Sequence, residues 1–205
     1  MTHFARLRKQ FAVNWTTVSV GWKGLGVFSP WPERSAEFPP LLSVNELAAY
    51  ANERLASSSD AAEDEFVVRL LSLDLHTESR ETITEHLARL SNLCGCDSSR
   101  ELRKWRIVIL EDLLDFIPSD PLYGLIALTE FWQNFGFPPD SPHEVQGKGS
   151  TLSPDDYYEE NNFQRLVSRH KTWIEQEKTA MEADQLYGGW QPSRRGSKEN
   201  GSQAE

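Results

Sequence analysis

The chain has 205 residues, 39% of them hydrophobic and 25% charged, with seven Trp, ten Phe and five Tyr. That is length and aromatic content enough for one ordinary core, and it argues against a disordered chain. With 21 basic against 31 acidic residues the net charge is −10, which argues against nucleic acid and anionic membranes as partners and favours a basic protein.

The charge is uneven. Residues 46–85 carry ten acids against three bases, and residues 101–160 carry twelve against four. The first forty carry five bases against two acids. The longest run of apolar residues and Gly, Tyr123 to Leu128, falls far short of the roughly 18 residues of a membrane span. The Met1–Arg6 stretch lacks the apolar core of a secretory signal. Cys94 and Cys96 are too close in sequence to staple a fold, so two ordinary thiols in a reduced cytoplasm are expected.

Phe4, Leu7, Arg8 and Phe11 stand at helical spacing and predict a short amphipathic helix within residues 2–13. Asn14 is placed to cap a second element. Trp15–Val20 is β-branched enough for a short strand or hairpin, although the pattern leans to helix. Glycines and prolines make residues 24–40 a loop. Ser43 with Glu46 is a capping-box pattern that opens a helix over about 44–57, and Asp60 with Glu63 repeats it before Phe66, Val67 and Leu70. A further helix runs from about Arg80 to Leu93 and ends on Gly95.

Ser98 with Glu101 is a third capping box, opening the most apolar stripe in the chain: Leu102, Trp105, Ile109, Leu113 and Phe116, widened by Val108, Leu110, Leu114 and Ile117. So broad a face predicts the central helix of a bundle, stopped by Pro118. Asp120 caps the next helix with Pro121 at its first position. Leu122, Leu125, Ile126, Leu128, Phe131, Trp132 and Phe135 fill much of its surface before Gly136 and Pro138 end it. Residues 137–152 read as loop. Ser153-Pro154-Asp155-Asp156 starts a last long helix with the stripe Phe163, Leu166, Val167, His170, Trp173 and Ile174. The reading is an all-α, antiparallel multi-helix bundle over residues 1–188, with at most one short strand or hairpin near the N-terminus, and a disordered tail over 189–205.

No motif identifies a chemistry. Gly21–Gly26 fits neither the dinucleotide fingerprint nor the Walker pattern. Cys94-Gly95-Cys96 has no second ligand pair for zinc, His143-Glu144 lacks the second His of a metalloprotease helix, and His170 reads as a core histidine. The expectation is no enzyme, no catalytic residues, no cofactor and no metal. The carboxylates are more informative. Glu111, Asp112 and Asp115 sit in the C-terminal half of their helix, where the dipole disfavours acids, so a partner's Arg and Lys would offset that cost. Asp155, Asp156, Glu159 and Glu160 crowd the start of the last helix. These seven are the expected partner-binding residues.

Lys104-Trp105-Arg106, Leu110, Leu114, Asp120-Pro121-Leu122, Ile126 and Phe135-Gly136-Phe137-Pro138, with Asn14-Trp15 near the start, resemble a bacterial family of small uncharacterised helical proteins. The resemblance spans about residues 10–175, and Glu144-Val145-Gln146-Gly147 departs from its pattern. Such families sit beside secreted toxins of bacterial competition systems and are read as immunity proteins. The resemblance therefore implies a cytoplasmic protein that binds and neutralises a cognate toxin of basic surface. The alternative is an acidic adaptor or nucleic-acid mimic without a toxin partner.

Overall fold

A computed structural model describes residues 1–24, 39–148 and 150–187, with the side chains of 184–187 left aside. The predicted tail at 189–205 and most of the 24–40 loop lie outside the described residues. Among those described, nine helices and no strand form the fold: α1 His3–Gln10, α2 Trp15–Lys23, α3 Val44–Ser57, α4 Ala61–Leu71, α5 Arg80–Cys94, α6 Ser98–Asp115, α7 Pro121–Asn134, α8 Pro154–Tyr157 and α9 Glu160–Tyr187.

α2 shows how burial overrides local preference. Its Thr and Val residues favour strand, yet every residue from Trp15 to Trp22 is buried inside a helix. Asn14 and Thr17 close a reciprocal capping box at its start. Its hydroxyls are satisfied sideways, Ser91 donating to Thr16 Oγ1 at 2.9 Å and Thr17 bonding Glu101. Arg80 reaches the last carbonyls, those of Trp22 and Lys23, at 3.2 and 2.9 Å. No strand forms at 15–20.

Two cores share α6 as a wall. The first gathers Phe4, Leu7, Trp15, Val18, Leu47, Tyr50, Val67, Leu70, Ile83, Leu87 and Leu90 around Trp105 and Val108. The second gathers Leu125, Leu128, Trp132, Tyr157, Phe163, Leu166, Trp173 and Ile174 around Ile107 and Leu110. Trp105 is fully buried, stacks on Phe4 with centroids 6.0 Å apart, and donates from Nε1 to the Thr17 carbonyl at 2.8 Å. A Cβ on Gly21 would stand 2.2 Å from its ring; only the absent side chain lets α2 lie so close.

Four expectations need correction. Asp97, not Ser98, caps α6, its Oδ1 accepting from Ser99 N at 2.9 Å. Glu101 instead turns into the core, where Lys104 Nζ bonds both its oxygens at 2.8 and 2.6 Å and also the Ala12 carbonyl at 2.8 Å. Glu63 likewise leaves its capping role: Arg54 Nε and Trp15 Nε1 donate to it at 2.9 and 2.7 Å, and the hydrogen bond from Arg54, against a desolvation that opposes it, holds its pKa below the ordinary value. The last helix is interrupted. Tyr157 is buried with its hydroxyl donating to the Glu144 carbonyl at 2.6 Å, and Asn162 caps the Tyr157 carbonyl at 2.6 Å, so α8 stops after one turn and α9 starts afresh. Finally, Cys94 and Cys96 are joined as a disulfide across Gly95, which turns through φ +62°.

Candidate protein-binding end

α6 and α9 run antiparallel, with Arg100 reaching the Met181 carbonyl and Arg103 paired to Glu177 at 2.8 Å. α7 lies along α9 in the same direction: Gly124 faces Phe163, and Trp132 bonds His170. A Cβ on Gly124 would come within 2.5 Å of the Phe163 ring and 3.0 Å of the Pro118 carbonyl. The C-terminus of α6 and the N-termini of α7 and α9 therefore converge at one end of the second core.

The seven predicted carboxylates divide there. Glu111 is paired with Lys178 and accepts from Gln10. Asp112 lies 3.1 Å from His3 and 3.4 Å from Arg6, and Asp115 lies 2.9 Å from Arg6. The cations that offset the unfavourable dipole are the chain's own, brought by α1 and α9. The hydrogen bond to Asp115 raises the Arg6 pKa, keeping that pair charged. A 440 Å³ cleft lies between these helices, lined by Arg6, Glu111, Asp115, Lys171, Ile174 and Glu175.

Asp155, Asp156, Glu159 and Glu160 are all exposed. Asp156 accepts from the Ser153 hydroxyl at 2.6 Å and Glu160 from Gln164 at 2.8 Å. Both contacts are local, and neither neutralises charge. The structure thus separates an internally compensated triad from an exposed quartet.

Four large apolar side chains share this end: Phe116, 80% exposed, Tyr123, 63%, Leu122, 42%, and Ile126, 39%. Asp115 precedes Phe116, Asp120 caps α7 through the Leu122 and Tyr123 amides at 3.0 and 3.2 Å, and Glu130 continues the exposed Leu122–Ile126 line one turn on. Periodicity alone assigns Phe116, Leu122 and Ile126 to the core and places Tyr123 on no stripe. The signal to the contrary is present in α7, whose Leu125, Leu128 and Trp132 already complete a buried face; Leu122 and Ile126 fall outside it. That buried face packs on both α9 and α6, and the other apolar side of α7 is left open.

Elsewhere in the second core the buried His170 stands beside the half-buried His143, ring centroids 5.5 Å apart. Trp132 Nε1 can only donate, so His170 Nε2 accepts at 2.8 Å and its Nδ1 carries the proton given to the Leu166 carbonyl at 2.6 Å. Burial lowers its pKa to about 4 and that of neighbouring His143 to about 3. His143 Nε2 meets Thr129 Oγ1 at 2.8 Å. Both rings are neutral core groups near pH 7. Among the described residues no group of three His, Cys, Asp or Glu is arranged to hold a metal, and no helix is long and apolar enough to cross a membrane.

A family model described as "Uncharacterized protein conserved in bacteria (DUF2247)" matches residues 5–178. The chain belongs to that family. The DUF2247 match runs from α1 into α9, so it contains both cores except Phe4 and Met181, and the whole end around Phe116, Tyr123 and Glu160. No curated protein and no solved structure matches.

Proposed function

We propose that this chain is a binding protein of the immunity type, which neutralises a cognate bacterial toxin by covering its working surface with the acidic, aromatic end of the second core. One observation carries the reading: Phe116, Leu122, Tyr123 and Ile126 stand exposed beside Asp120 and Glu130, which form no ion pair among the described residues. Large apolar side chains ringed by polar groups have the anatomy of a protein interface, with aromatics as its usual anchors. The rim is acidic and the net charge is −10, so a second copy is repelled and a basic surface attracted. The partner is a protein with an apolar pocket set among Arg and Lys. Asp155, Asp156, Glu159 and Glu160 steer it, and the apolar four hold it.

The test is co-expression with the product of the gene adjoining its own, followed by titration of the purified pair at two salt concentrations. The expected result is protection of the cell and tight binding, with an on-rate that falls as salt rises. Absence of both protection and binding would retire the reading.

A further inference from the structure

The α5–α6 connection consists of Gly95, Cys96 and Asp97, and the Cys94–Cys96 bond closes across it. We infer that this pair is a reversible thiol–disulfide exchange site whose substrate is a dithiol reductant or its disulfide.

Three observations carry the inference. A bridge spanning one intervening residue removes little freedom from the unfolded chain, because disulfide stabilisation grows with the length of loop closed. The fold holds this corner without it: Gly95 ends α5 with its N–H on the Ser91 carbonyl at 3.2 Å, Leu87 and Leu90 are fully buried, and Asp97 caps α6. The bridge is also accessible, since Cys96 is exposed and Cys94 half-buried. Exposed disulfides are the labile ones.

The exchange balances. A thiolate of the dithiol attacks the exposed Cys96 Sγ, the S–S bond breaks, and Cys94 leaves as a thiolate that takes a proton from water. The second thiol of the reductant then attacks the mixed disulfide and expels Cys96, which is protonated in turn. Two electrons pass to the pair, and the reductant leaves as its own disulfide. In a reducing compartment the bridge is therefore transient, as cytosolic disulfides generally are.

The test equilibrates the intact protein, undenatured, with a graded series of reduced and oxidised dithiothreitol. Each sample is then quenched with an alkylating reagent and read by intact mass. The expected result is a joint change from no labels to two within the series, with helicity constant throughout. A Cys96→Ser variant should take up one label across the series and never show the cooperative two-label step. Two labels at every ratio would show thiols that do not pair, and labels only after unfolding would show an inaccessible structural bridge. A covalent dimer on a non-reducing gel would show pairing between chains. Any of the three overturns the inference.

Discussion

The two cores on either side of α6 solve the same packing problem with different polar chemistry. The first encloses a charged pair, Glu101 and Lys104, whose side chains are 3% and 4% exposed. Thr17, Asn14 and the Ala12 carbonyl supply further hydrogen bonds around that pair. The second encloses a neutral imidazole, His170 between Trp132 and the Leu166 carbonyl, and a single buried cation, Arg106, held over the Trp132 and Trp173 rings while bonding the exposed Asp140 at 2.6 Å. Among the described residues, the second leaves Phe116, Leu122, Tyr123 and Ile126 exposed together at its end. The first core thus fixes the position of α6, and the second uses α6 and α7 to present a surface.

The largest expected losses belong to the first core. Trp105→Ala removes a fully buried indole and its bond to Thr17, and should cost about 3–5 kcal/mol, measured by denaturant unfolding. A variant that stays normally stable would mean that Trp105 is not the keystone of that core. Lys104→Met leaves the Glu101 carboxylate buried without its cation and should cost about 3–5 kcal/mol, whereas adding Glu101→Leu should recover much of the loss. A double variant worse than the single would show that Glu101 is held by Thr17 more than by Lys104.

How far this division is legible from sequence varies by residue. The helices with strong caps and periodicity are legible: Ser43 with Glu46, Gly95 at φ +62° and Asp120 before Pro121 all act as their residue types predict. Glu101 and Glu63 are misread because a capping-box spacing is local, while Lys104, Thr17 and Arg54 reach these acids through the tertiary fold. The same limit hides the compensation of Glu111, Asp112 and Asp115, since Arg6 and Lys178 lie on helices distant in sequence. Phe116, Leu122 and Ile126 are hidden differently. Periodicity says which residues share a face, but it does not say whether that face has a neighbour.

A smaller effect distinguishes the cores by pH. His170 has a folded pKa of about 4, below the ordinary 6.5, so as pH falls the unfolded chain takes the proton first. Its contribution is intact above about pH 6.5 and is lost progressively as pH falls toward 4. Between pH 7 and 5 the loss should be about 2 kcal/mol, at ~1.4 kcal/mol per unit of pH below the unfolded value, and His143 acts in the same direction. Urea unfolding at the two pH values measures it. Equal stabilities would show that both rings reach solvent, and a His170→Gln variant should flatten the dependence.

The smallest effect on folding, and the one that bears most on function, concerns the exposed end. Phe116→Ser and Tyr123→Ser remove side chains that are already mostly in water, so each should change stability by less than about 0.5 kcal/mol. Against a partner the same changes remove aromatic anchors, and a central anchor is typically worth about 2 kcal/mol or more, roughly thirtyfold in affinity. The two carboxylate groups then separate by rate. Neutralising Asp155, Asp156, Glu159 and Glu160 removes exposed charge and should slow association and weaken its salt dependence. Neutralising Glu111, Asp112 and Asp115 breaks half-buried pairs with Arg6 and Lys178, so it should lower stability by about 1 kcal/mol per pair, the upper end for a surface ion pair, with less effect on the on-rate. If the triad variant is the one that loses its on-rate, the partner approaches across the α1–α6–α9 cleft and the quartet is merely solvated.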